Sequence, residues 1–311
     1  MAIQDTINNL IRRHGKLHID KSQWHRHWDD LARVMLPRRL GFSTTTVDGE
    51  RRTEDIFDGT PQQAARGLAN AVGSMLRPQG LPEVEMKADD DIINEMEEAK
   101  VWFSDSEKRL KAAFNDPKAR FRQSSGEKDL DLVVFGTAIM FIGEAQRRNH
   151  LLFQTLHLKD SEVFFNEEGM PEGLFRMRRM PIRHLIDRFG KEKLSKETKE
   201  KAENKDNVDV LYVVVPRETK NLNPLFAKDL PFGEYWIELG AKHELSEGGF
   251  HEFPFIVPRW DTTSGENYGR SPGMIALPDS DTLQAMGETI LIAGQRAADP
   301  PLAVPNDGTF D

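Results

Sequence analysis

After Pro278 the chain runs from Asp279 to Ala298 in one strong helical pattern, and no other stretch limits the possible folds so sharply. Leu283, Met286, Ile290, Ala293 and Ala297 step by three, four, three and four, the spacing of a narrow heptad seam. Ala285, Gly287, Gly294 and Ala298 keep much of the remaining surface small. A helix of about 20 residues spans about 30 Å. Such a helix invites close packing on more than one side, so it needs a partner, either another subunit or chain lying beyond it. Asp299-Pro300-Pro301 ends the pattern abruptly.

Just upstream, Gly269-Arg270-Ser271-Pro272-Gly273 fits Gly-x-Ser-x-Gly, the nucleophile elbow of α/β-hydrolases. Three demands of that elbow go unmet. The serine must follow a strand directly, but the polar loop "DTTSGENYG" intervenes. The next residue must offer a backbone N–H to the oxyanion hole, and Pro272 has none. Losing one such donor costs on the order of 100- to 1000-fold in rate. The triad histidine should follow the serine, yet all nine histidines precede position 271. The motif is therefore read as a structural joint. Its glycines permit an unusual backbone path, and Pro272 and Pro278 are expected to break the chain before the helix. Tyr268, Gly269, Arg270 and Pro272 are its candidate interface residues, with Arg270 reaching a carboxylate of a neighbouring subunit.

The first third of the chain is expected to be helical. Ile3, Ile7, Leu10, Ile11, Trp24, Trp28, Leu31 and Met35 recur at helical spacing over about 3–36, until Pro37 stops them. A second helix, about 60–77, takes Thr60 as N-cap and Pro61 at its first position, with Ala64, Leu68, Ala71, Val72 and Met75 as its face. Its small residues Gly67, Ala71 and Gly73 predict a close neighbour. A third helix, about 90–115, opens at Asp89-Asp90-Asp91 and carries the stripe Ile92, Met96, Ala99, Phe103, Leu110 and Ala113. That acidic triplet suits the positive end of a helix dipole better than a metal cluster, because no matching ligands stand nearby. A fourth helix covers about 120–135.

The period then changes. Segments 137–145, 151–158, 162–166, 173–180, 208–216, 233–239 and 253–260 read as strands, making 137–260 strand-rich. A short helix after Pro181, closed by Gly190, and the polar run 191–207 interrupt them. Helices, then mostly antiparallel strands, then a helix predict an α+β fold rather than repeating βαβ units. In "RMRRM", alternation sets Arg176 and Arg178 on one face and Phe175, Met177 and Arg179 on the other. Nucleic-acid contact or a charge-protected edge strand would both explain it.

Composition narrows the function classes. Of 311 residues, 38% are apolar and 30% charged, which suits a folded protein with a wet surface. The formal charge of −9 argues against tight phosphate neutralisation of nucleic acid. No cysteine is present, so disulfides, thiolate zinc sites and cysteine nucleophiles are excluded. The two Gly-Lys pairs, Gly15-Lys16 and Gly190-Lys191, lack the upstream glycine and the hydroxyl of a phosphate-binding loop. His14 and His18 share a helix face but have no completing glutamate in the local motif; His25 and His27 do not share one. No catalytic residue, cofactor or metal is assigned. "MAIQDTINNL" carries no signal-peptide pattern, and the run Leu132–Gly143 is too short to span a bilayer, so a soluble cytosolic product is expected.

Three stretches together carry a resemblance: "TPQQAARGLANAVGSMLRPQGLP" (60–82), "LVVFGTAIMFIGE" (132–144) and above all "YGRSPGMIALPDSDTLQAMGETILIAGQRAADPPLAVPNDG" (268–308). In this order they resemble the portal, or head-to-tail connector, proteins of short-tailed bacteriophages. The resemblance implies a subunit of a ring, typically of twelve copies, at one capsid vertex. Residues 1–278 would form its wing, 279–298 its first stem helix along the axial channel, and 299–311 the start of its clip. Family members continue through the clip, a second stem helix and a crown, so the chain is expected to stop short of these. Implied partners are other copies of the chain, the terminase motor, tail adaptor, capsid and scaffold proteins, and double-stranded DNA passing without tight binding. No membrane is implied. The protein would belong to the virion, and to the host cytoplasm during assembly. A passive conduit also suits an acidic chain with no motor signature. The rival readings are another head–tail adaptor or scaffold, against which the strand-rich middle argues, and a serine hydrolase built on Ser271.

Overall fold

A computed structural model of the chain describes residues 2–44, 47, 49–78, 84–145, 150–201, 206–218 and 225–300. The fold is α+β. Helix α1 (Ala2–Met35) carries its apolar positions in two groups. Ile7 and Leu10 pack on Phe175, Leu211, Val213 and Ile237 of a sheet. Trp28, Leu31 and Met35 enter the main core with Phe42, Val134 and Phe135. The helix stops two residues before Pro37, whose ring disfavours helical backbone in the residue preceding it.

Helix α2 (Thr60–Leu76) has Gly59 as its cap residue and Thr60 as its first helical residue, one position earlier than the sequence reading placed it. Asp58 Oδ1 accepts the Thr60 N–H at 2.7 Å. The buried face is Pro61, Ala65 and Ala69, packed on α5 (Phe121–Phe135), not the expected Leu68 and Met75, which are exposed. Small side chains let the two helices approach. An added Cβ at Gly73 would stand 3.2 Å from Asp129 Oδ2, whereas nothing lies near Gly67.

The expected third helix is two pieces, α3 (Asp91–Glu95) and α4 (Glu97–Asn115), broken where Met96 turns extended at ψ 129. Asp90 caps α3 by accepting the Ile92 N–H at 2.9 Å. Neither piece buries a residue, so the stripe from Ile92 to Ala113 is no core face among the described residues.

Two antiparallel sheets follow. In one, β1 (Ile139–Glu144) lies between β2 (Leu151–Leu156) and the two-residue β8 (Phe255–Ile256). Pro254 and Pro258 confine β8 to that length, much shorter than the strand expected over 253–260. The other is a meander of β3 (Ser161–Phe165), β4 (Pro171–Pro181), β5 (Asn207–Pro216), β6 (Phe232–Glu238) and β7 (His243–Phe250). Helices α6 (Ile182–Phe189) and α7 (Lys196–Lys201) link β4 to β5. Strand β4 is interior, so its arginines do not protect an edge. The unexpected β7, "HELSEGGF", occupies the edge.

The last helix, α8, runs from Pro272 to Ala298 without interruption. It begins seven residues before the expected start at 279. Pro272 sits in its first turn, where a missing N–H costs nothing, and Pro278 lies inside the helix rather than breaking it.

Candidate functional site

The joint is built where α5 ends. Gly136 closes that helix at φ +76, donating its N–H to Leu132 O at 3.0 Å. The next residues lie antiparallel to 258–260, with Trp260 N–H on Gly136 O at 2.8 Å and Ala138 N–H on Pro258 O at 3.2 Å. Gly269 then crosses over them, donating to Thr137 Oγ1 at 2.8 Å. The Gly136 and Gly269 backbones touch, and a Cβ on either would overlap the other's carbonyl oxygen. Only glycine fits that crossing.

Ser271 is buried in the joint and serves the backbone. Its Oγ donates to Val134 O at 2.7 Å and accepts the Met274 N–H at 3.0 Å, capping α8. The hydroxyl thus holds the start of one helix against the end of another, which is a role the sequence reading did not give it. Tyr268 is buried edge-on against Trp28, with ring centroids 5.1 Å apart, and against Trp24 at 5.7 Å. Burial pushes its phenol well above the ordinary tyrosine range. Arg270 has a carboxylate within its own chain. Its guanidinium pairs with Glu266, Nε to Oε2 at 2.8 Å, and stacks over Trp24 at 4.9 Å. This partner is local, four residues away, and nearly half of the Arg270 side chain stays exposed.

Beyond the joint, Gln284 latches α8 to the segment before α2. Its Oε1 accepts Phe57 and Asp58 N–H groups at 2.8 and 3.0 Å, and its Nε2 donates to Asp58 O at 2.7 Å. Arg33 reaches Asp281 at 2.8 Å. Past these ties the helix leaves the domain, and residues 288–300 are all exposed. Leu283, Met286 and Ile290 are 37, 55 and 66% exposed, and Ala293 and Ala297 are exposed with them. The nine singled-out residues therefore divide. Tyr268, Gly269, Arg270 and Pro272 form the base of α8, and the other five form an open apolar stripe along it.

Below the joint lies a buried ionic tie that sequence reasoning missed. Lys21 Nζ donates to Glu162 Oε1 at 2.8 Å and to the carbonyls of Leu158, Lys159 and Ser161 at 2.9 to 3.2 Å. His14 Nε2 and His18 Nδ1 reach the same carboxylate at 3.3 and 3.1 Å. Despite its burial, these partners hold Glu162 well below the usual carboxylate range. A lysine on a polar helix face and a glutamate in a short strand both read as solvated, so no local pattern betrays the pair.

Among the described residues, no group of three or more His, Asp or Glu side chains is placed to hold a metal ion. No helix among them is long and apolar enough to cross a membrane. The domain presents one long helix whose apolar side has no cover among the described residues. The chain belongs to the bacteriophage head to tail connecting protein family, whose model matches residues 8–310. It is similar to the portal protein of Salmonella phage epsilon15, at 25% identity over 305 residues covering 95% of this chain and 54% of that protein. It is also similar to the probable portal protein of Bordetella phage BPP-1, at 24% identity over 314 residues covering 98% and 56%. The chain spans little more than half the length of these relatives.

Proposed function

We propose that this chain is the wing and first stem helix of a portal subunit, which assembles as a ring, typically of twelve copies, at one capsid vertex. Residues 1–278 supply the wing, 279–298 the stem helix and 299–311 the start of the clip; residues 301–311 lie outside the described part. The ring is a passive conduit. A separate terminase motor drives DNA inward through it, and the tail later receives the DNA on ejection. Capsid, scaffold and tail-adaptor proteins are its other partners. It is part of the virion and assembles in the host cytoplasm.

One observation carries this reading: the exposed apolar stripe Leu283, Met286, Ile290, Ala293 and Ala297 on a helix that projects from a well-packed domain. A stripe at this spacing finds its complement in neighbouring helices. Burying a large apolar side chain contributes roughly 1.5–3 kcal/mol, so a handful per subunit drives association. The net charge of −9 supports a channel through which phosphates slide without being held. No catalysis is assigned. Ser271 holds backbone groups and has no part in chemistry. Electron microscopy of the purified full-length protein tests the reading: closed rings with an axial hole are expected, and a strictly monomeric protein would overturn it.

A further inference from the structure

The two sheets face each other across a cleft of about 1050 Å³. The register places Arg176, Tyr212, Trp236 and Ser246 opposite one another in a single row across β4 to β7, and all four line the cleft. Arg178, one step along β4, and Arg188 of α6 join them. Arg188 stacks over Trp236 at 3.8 Å, and the Trp236 and Tyr212 rings lie 4.4 Å apart.

These three guanidiniums are half-buried, and none forms an ion pair or donates a hydrogen bond to a described residue. The buried Nε atoms of Arg176 and Arg188 have no acceptor among the described residues. Burial lowers all three pKa values, with Arg176 and Arg188 at about 10 and the charge of Arg178 adding to the shift of each. Of the nearby carboxylates, Glu234 accepts from Trp236 Nε1 at 3.0 Å and its charge also acts on Arg188, Asp160 acts at longer range on Arg176, and Glu144 and Asp187 are exposed. Desolvated arginines with no direct ion pair among the described residues, set beside aromatic rings, form a receptor for carboxylates carried on an apolar segment.

The same chain carries such a segment. Between Lys87 and Lys100 stand Asp89, Asp90, Asp91, Glu95, Glu97 and Glu98 with no basic residue among them. All six are exposed. Ile92 and Met96 stand among them, 71 and 56% exposed. The helix that continues from this segment, α4, ends on the far side of the three-stranded sheet from the cleft. Phe114 of α4 packs with Met140, Ile142, Leu151 and Phe153 on one face, whereas the alternate residues Phe141, Leu152 and Gln154 line the cleft on the other. A receptor and its ligand on different surfaces of one subunit make a head-to-tail contact, which gives a ring where the rotation between copies closes.

We infer that the cleft lined by Arg176, Arg178 and Arg188 receives the acidic segment 89–98 of a neighbouring copy of this chain. The inference rests on the ring reading only in taking a second copy as the donor. The test uses the full-length protein and a fluorescein-labelled peptide of residues 86–99. The peptide is expected to bind, to be released by salt, and to bind at least tenfold more weakly to the Arg176→Ala, Arg188→Ala variant at unchanged far-ultraviolet circular dichroism. Should that variant fail to fold, a peptide carrying Asp91→Lys and Glu95→Lys gives the same answer on the native protein. In assembly, Asp91→Lys with Glu95→Lys should abolish rings, and Arg176→Glu with Arg188→Glu in the same chain should restore them. Wild-type rings that survive the Lys variants overturn the inference and leave the ring reading intact. Absence of wild-type rings overturns the ring reading, while peptide binding still reports on the cleft. Equal binding of wild-type and charge-reversed peptides, or tighter cleft binding of a single-stranded oligonucleotide, assigns the cleft to another occupant and overturns the inference.

Discussion

At the scale of single residues, Ser271 illustrates how a motif misleads. Its pattern matches a nucleophile elbow, yet its hydroxyl joins two helix ends through Val134 O and Met274 N. The sequence argues against chemistry through Pro272, but nothing in it announces the bond to a residue 137 positions away. Ser271→Ala should therefore lower stability by about 2 kcal/mol, combining a lost cap with an orphaned buried carbonyl. Thermal melting checks this, and the same samples should show no ester turnover before or after the change. A second residue-scale expectation concerns acid. Burial, and then the charge of Lys21, lowers His25 to about 4, and burial beside Arg39 lowers His157 to about 3. Both bind a proton in the unfolded chain below their ordinary pKa of 6.5 but stay neutral in the fold. Their contribution is thus present above pH 6.5 and lost as pH falls through 4 and 3. Glu162, held low by its partners, adds a loss of the same sign below 4.5. Asp131, pushed up to about 6 by burial, opposes them between 6 and 3.8, as do Asp160 and Glu244, both raised by burial, while His27, lowered by burial, adds to the histidines' side. The melting temperature should hold above pH 7 and decline from 6.5 to 4, and His25→Phe should flatten the upper part of that decline.

At the scale of elements, legibility followed periodicity. The apolar positions of α1 and the alternation of β4 and β5 are strong patterns, and the corresponding elements are present. Even the two faces of "RMRRM" divide as alternation requires, Phe175 into the core and Arg176 and Arg178 into the cleft. Strand β7 was invisible because "HELSEGGF" pairs polar residues with Gly248 and Gly249 at a sheet edge, where tertiary pairing overrides propensity. The α2 face was misplaced because close packing selected alanines over the larger Leu68 and Met75. The sequence pattern makes Pro278 a break, but α8 carries it in its second turn, where it removes one ladder bond. The open stripe on α8 yields a sharp prediction. Because Ile290 touches no core, Ile290→Glu should leave the stability of the isolated subunit within about 0.5 kcal/mol. It should nonetheless prevent assembly, which size-exclusion chromatography with light scattering would show.

At the scale of the whole molecule, the chain has a two-sheet body, a helix that leaves it through a glycine joint, and apolar or charged surfaces that find no partner among the described residues. A stable fold with uncovered apolar surface marks a protein made to associate. The family resemblance was legible in three stretches taken in sequence, 60–82, 132–144 and 268–308, and the family model matches residues 8–310. The cleft could not be foreseen, since it arises from two sheets folding face to face and no contiguous motif encodes it. The central claim is that α8 packs against copies of itself around a channel. Electron microscopy of the full-length protein, alongside its Ile290→Glu variant, tests that claim most directly. The account predicts closed rings with an axial hole for the former and dispersed subunits for the latter. A strictly monomeric wild-type protein, or rings indifferent to the charge at position 290, would contradict it.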